Sequence, residues 1–103
     1  MRTEIKQKMT ETADYIFRHP EISLKEEKSS QELARFLEEE GFHIRWNLAE
    51  FETAFVAEWG EGRPVIGFLA EYDALPGLGQ EIRTEKCATG GPGHGCGHNL
   101  LGT

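Results

Sequence analysis

A chain of 103 residues has room for at most one domain, and a chain of that size buries somewhat over ~60% of its unfolded surface. Hydrophobic residues make up 38% and charged residues 28%, the balance of a folded globular protein rather than a disordered one. The formal net charge of -7 argues against nucleic acid and anionic membrane as partners, because both require a basic face.

The first element in chain order is a helix. Ile5, Met9, Ala13, Ile16 and Phe17 recur at helical spacing, and Pro20 ends the pattern by pushing His19 toward extended geometry. Residues 1–17 lack the apolar core of a signal peptide, and no apolar run in the chain approaches the ~20 residues of a membrane span. Cytoplasmic residence is therefore expected, and with it free thiols at Cys87 and Cys96 rather than a disulfide.

Ser23-Leu24-Lys25-Glu26 matches a capping box and predicts the start of a second helix, whose apolar stripe is Leu33, Phe36 and Leu37. Gly41 suits its C-terminal cap. Glu38-Glu39-Glu40 reads as a solvated face, badly placed where the helix dipole favours cations.

Two strands follow. Residues 43–48 alternate, with Ile44, Trp46 and Leu48 on one side, and residues 53–59 form the second. After turn chemistry at 60–64, Val65-Ile66-Gly67-Phe68-Leu69-Ala70 is a nearly continuous apolar run, expected as a central strand covered on both faces. Residues 76–97 then hold seven glycines and two prolines, a long loop of the kind that carries function. The order of elements predicts the opening part of an α/β fold with a mixed sheet.

Ligands in open α/β sheets collect at the carboxyl ends of strands. Here that position holds Glu71 and Asp73, two carboxylates at i and i+2 that share a side if the strand continues. Acids at a buried strand end cost free energy unless a cation or histidine compensates them. The loop then brings His94, Cys96 and His98, and thiolate and neutral imidazole are good ligands for zinc and related divalent metals. Taken singly, each has a plainer reading: solvated acids, a loop histidine with a backbone partner at 94, a small buried cysteine at 96. His19 and His43 read as surface or strand-edge residues, Cys87 as an incidental loop cysteine, and Asn99 as a cap for a helix starting at Leu100.

Together, GFLAEYDALPGLGQ at 67–80, GHGCGHNLLGT at 93–103 and HPEIS at 19–23 resemble the M20 metallopeptidase and amidohydrolase family, in its aminoacylase-like branch, over essentially the whole chain. The resemblance implies the N-terminal part of a mixed-sheet, zinc-exopeptidase-like catalytic domain, spanning residues 1–103. It implies two divalent metals, zinc or manganese, and a small-molecule amide substrate such as an N-acyl amino acid or dipeptide-like compound. Cys96 and His98 match metal ligands of the family, Asp73 an orienting group beside the metals, and Glu71 a weaker match of the same kind. Asn99 stands where many members have aspartate. The general-base glutamate, the remaining ligands and the dimerisation domain are expected outside this sequence. The 103 residues alone are then inactive, and the longer protein a homo- or hetero-oligomer. Two rivals differ in class. One is a small module holding a structural metal through Cys87, His94, Cys96 and His98; the other is an inert regulatory remnant that binds a longer relative.

Overall fold

The structure, a computed structural model, describes residues 1–87 and 90–103. Ala88 and Thr89, within the glycine-rich loop, lie outside the described residues. Helix α1 spans Thr3–Arg18 and helix α2 Glu27–Glu39. Strands β1 (His43–Trp46) and β2 (Phe55–Glu58) form an antiparallel pair, His43 opposite Glu58 and Trp46 opposite Phe55. A five-residue helix α3, His98–Gly102, follows the glycine-rich segment. The described residues thus make a small mixed α/β unit.

The helices meet through small residues. Ala13 and Ile16 of α1, Leu33 and Ala34 of α2, and Ala74 form the buried apolar core, and Thr12, Ser29 and Ser30 are buried among them. Side chains this short let the helices approach closely, which suits a chain with few large core residues. Gly41 ends α2 as its sequence predicts: its φ is +96°, and Phe42 N–H donates back to the Leu37 carbonyl at 3.0 Å. The acidic end of α2 is compensated from α1, where Lys8 reaches Glu40 at 3.2 Å and Glu39 at 3.5 Å.

Three expectations are corrected. The capping box does not form. Ser23 is exposed, Leu24 has a φ of +70°, and α2 begins four residues after Ser23, at Glu27. The cap comes instead from Glu21, whose carboxylate accepts from the backbone N–H groups of Lys28 (3.0 Å) and Ser29 (2.8 Å). The first strand is shorter than expected, because Asn47 turns into the left-handed region at φ +58°. The central strand is absent. Residues 65–70 are irregular, with Val65 85%, Phe68 94% and Leu69 fully exposed at 101%. A strand buried on both faces needs neighbours on either side, and the sheet among the described residues has only β1 and β2.

Candidate metal centre

Three short pairings fix the site segments. Ala74 N–H donates to the Glu21 carbonyl at 2.7 Å, tying the turn after Asp73 to the entry of α2. Leu75 and Gly93 exchange two backbone hydrogen bonds, each 2.9 Å, and Gly79 N–H reaches the Gly91 carbonyl at 2.8 Å. This close approach needs glycine at 93, since a Cβ there would lie 2.0 Å from the Leu78 carbonyl oxygen. Gly97, at φ +82°, then turns the chain into α3, and Asn99 anchors that helix by donating from Nδ2 to the Ala13 carbonyl at 3.3 Å. Asn99 is therefore a buried tether inside a helix starting at His98, not the cap of one starting at Leu100.

The result sets His98 between two carboxylates. Its Nδ1 lies 2.8 Å from Asp73 Oδ1, and its Nε2 lies 3.3 Å from Glu71 Oε2. One ligand atom from each of the three residues falls within 4.8 Å of the others. A neutral imidazole carries one N–H and one lone pair. With Nδ1–H donated to Asp73, the Nε2 lone pair faces a carboxylate oxygen, an opposition relieved by a proton or a cation between them. Metal-ligating histidines commonly give their other N–H to a carboxylate in this way, and Glu71, with its side chain 68% exposed, reaches toward the free nitrogen from the solvent side. The donor set, imidazole nitrogen and carboxylate oxygen, fits zinc or manganese.

His98, Asp73 and Glu71 are thus brought together. Cys96 is not: it is an exposed free thiol outside that group. An i, i+2 pair shares a side only on extended backbone, and the left-handed turn at Gly97 separates Cys96 from His98. The four-residue set of Cys87, His94, Cys96 and His98 is likewise not assembled among the described residues. His94 is 5% exposed, and although neither ring nitrogen closes a hydrogen bond of good geometry, the Ile16 backbone stands in the place of the backbone partner that was expected. Burial pushes its pKa below the ordinary value; the nearby Ile16 backbone opposes this and His98 adds to it. His19 Nδ1–H donates to the Tyr15 carbonyl (2.8 Å), and His43 is exposed on β1.

A cleft of about 550 Å³ opens beside the three residues, walled by Leu24, Phe51, Phe55, Ala70 and Tyr72. A larger one, about 620 Å³, lies at Phe17, Pro20 and His94 and contains none of the three. We take the former as the candidate site because it joins an open, concave volume to converging ligand atoms. Glu26, Thr53 and Tyr72 also line it, none of them picked out as a site residue in sequence, where Glu26 read only as part of a helix cap.

No family model matches the chain. It is 46% identical over 101 residues to a subunit of the p-aminobenzoyl-glutamate hydrolase of Escherichia coli (strain K12), covering 95% of this chain and 21% of that protein. It is 34% identical over 99 residues to the human Xaa-Arg dipeptidase, covering 84% of this chain and 20% of the relative. N-acetylcysteine deacetylase of Bacillus subtilis (strain 168) is 34% identical over 84 residues, with 80% and 22% covered. The chain therefore spans about a fifth of the length of these relatives. These similarities, all to proteins with hydrolytic names, support an M20-like amidohydrolase of the aminoacylase-like branch over the matched residues.

Proposed function

We propose that the protein carrying this chain is a metal-dependent amidohydrolase that cleaves the amide bond of N-acyl amino acids or dipeptide-like compounds. The 103 residues form the N-terminal portion of its mixed-sheet, zinc-exopeptidase-like catalytic domain and are inactive alone. The observation that carries this reading is the His98 ring held between Asp73 and Glu71. His98 Nε2 and Glu71 would hold a divalent ion, and Asp73 orients the imidazole. Cys96, two residues before His98, is the thiolate that the family resemblance assigns to the same centre. When bound, zinc or manganese supplies Lewis acidity toward an amide carbonyl and acidifies water. This chain's own part is to fix the imidazole tautomer, supply anionic charge and line one wall of the cleft. The base that takes the water proton lies outside these residues. Substrates named by the relatives (p-aminobenzoyl-glutamate, an Xaa-Arg dipeptide, N-acetylcysteine) are the compounds to try first. A cytoplasmic location and an oligomeric longer protein belong to the same reading; the naming of one relative as a subunit supports the second.

The test is hydrolysis of those three compounds by the intact protein with zinc or manganese. Chelation should abolish turnover, Asp73→Asn should lower kcat/KM by about 10- to 100-fold, and His98→Ala, which removes a proposed ligand, by more than Asp73→Asn. Turnover that survives both chelation and His98→Ala would sink the reading.

A further inference from the structure

Glu26 is a buried acid that the hydrolytic reading does not use. It is 7% exposed, and no cation forms a salt bridge with it among the described residues. Each of its oxygens is engaged by a neutral donor: Oε1 accepts from Leu24 N–H at 2.8 Å and Oε2 from the Thr53 hydroxyl at 2.7 Å. Taking a carboxylate out of water with only neutral partners is costly, so such an arrangement persists where it holds something in place. Thr53 is itself buried at 8%, and its carbonyl accepts from the Tyr72 hydroxyl. Tyr72 stands between Glu71 and Asp73 in the chain, with its ring stacked on Phe55 at 6.2 Å.

The need for such a hold is visible in the backbone. No backbone hydrogen bond among the described residues involves residues 60–73, whereas Ala74 and Leu75 are both pinned. The acid pair is thus restrained by the main chain on its C-terminal side only. The other fixed point lies between the two acids, in the Tyr72 side chain.

We propose that Glu26, Thr53 and Tyr72 form a positioning chain, running from the start of α2 to the acid pair, that holds Glu71 and Asp73 at the His98 ring. The proposal rests on the metal-site reading above and adds three residues to it. None touches the reacting atoms; all act through the placement of two carboxylates.

The test uses the intact protein with Co²⁺ as probe and three variants: Tyr72→Phe, Glu26→Ala and Glu26→Gln. Tyr72→Phe and Glu26→Ala should each weaken Co²⁺ binding about 10-fold, the lower end of what outer partners contribute to a metal site. Glu26→Gln keeps an acceptor oxygen for the Thr53 hydroxyl and should recover most of that loss. In metal-free protein at one fixed pH, the His98 ring ¹⁵N resonances should move toward those of an unrestrained imidazole in Tyr72→Phe and Glu26→Ala, and stay near native in Glu26→Gln. Unchanged Co²⁺ affinity and unchanged His98 resonances, with only a lower melting temperature, would overturn the proposal. Should the unmutated protein bind no Co²⁺, the metal reading fails by itself, and the His98 resonances still decide the positioning chain. Should Glu26→Ala not fold, Tyr72→Phe, which removes a single oxygen, carries the test.

Discussion

A Cβ on Gly93 would meet the Leu78 carbonyl carbon at 2.4 Å and the Gly79 nitrogen at 2.7 Å, both backbone atoms with little room to yield. The Leu75–Gly93 pairing would have to open, and with it the path that leads to His98. Gly93→Ala is expected to cost about 3 kcal/mol, the upper end for overpacking. At Gly95 the nearest obstacle is Leu78 Cδ1 at 2.5 Å, the tip of a flexible side chain, and Gly95→Ala should cost about 1 kcal/mol. Urea midpoints of the two variants measure the difference, and equal midpoints would contradict it. Tyr72 gives a pH prediction. Burial, and secondarily the Glu26 charge, push its phenol up to about 12, above an ordinary value of 10.0. The unfolded chain then releases this proton first. The associated stability is intact below pH about 10 and is lost as pH rises toward about 12. Melting temperatures across that window should fall, and fall less in Tyr72→Phe; identical slopes would show that Tyr72 is not the titrating group.

The entry of α2 is held from outside the helix. Glu21 accepts from two of the free N–H groups of the first turn, while its own carbonyl holds Ala74. Glu21→Ala should cost about 1 kcal/mol, the usual value of a lost cap. It should also expose the Lys28 and Ser29 amides to faster hydrogen exchange; native exchange at both would count against the cap. Both long helices are legible in the sequence because their apolar spacing is local and strong. The cap is not, since Ser23 and Glu26 have the right types at the right spacing, and only the left-handed bend at Leu24 moves the helix start past them. The same limit applies at the site. The acid pair and His98 can be picked out from residue type and spacing. Their union depends on Gly97 bending the chain and on Asn99 docking against Ala13. That contact joins residues 86 positions apart, beyond what local pattern encodes.

The described residues have a radius of gyration of 14.8 Å, against about 13 Å for a compact chain of about 100 residues. Part of the excess is the apolar run at 65–69, which leaves the core and is exposed along its length. Val65, Ile66, Phe68 and Leu69 are apolar residues of strand-like pattern without a strand to pair with, and a solvated apolar run of this kind is a pairing edge. The chain covers about a fifth of its relatives, so the proposed longer protein has ample sequence to supply neighbours. In that protein the amides of residues 66–69 are expected to be strongly protected from hydrogen exchange. In the isolated 103 residues they should exchange at nearly unfolded rates. Phe68→Asp separates the cases further. Burying an unpaired carboxylate in a central strand should cost the longer protein at least about 3 kcal/mol. The same change in the isolated chain, where Phe68 is 94% exposed, should stay within about 0.5 kcal/mol. Fast exchange at 66–69 in the longer protein, or an equal response to Phe68→Asp in both, would mean that the run is a surface loop and that Glu71 and Asp73 do not cap a central strand.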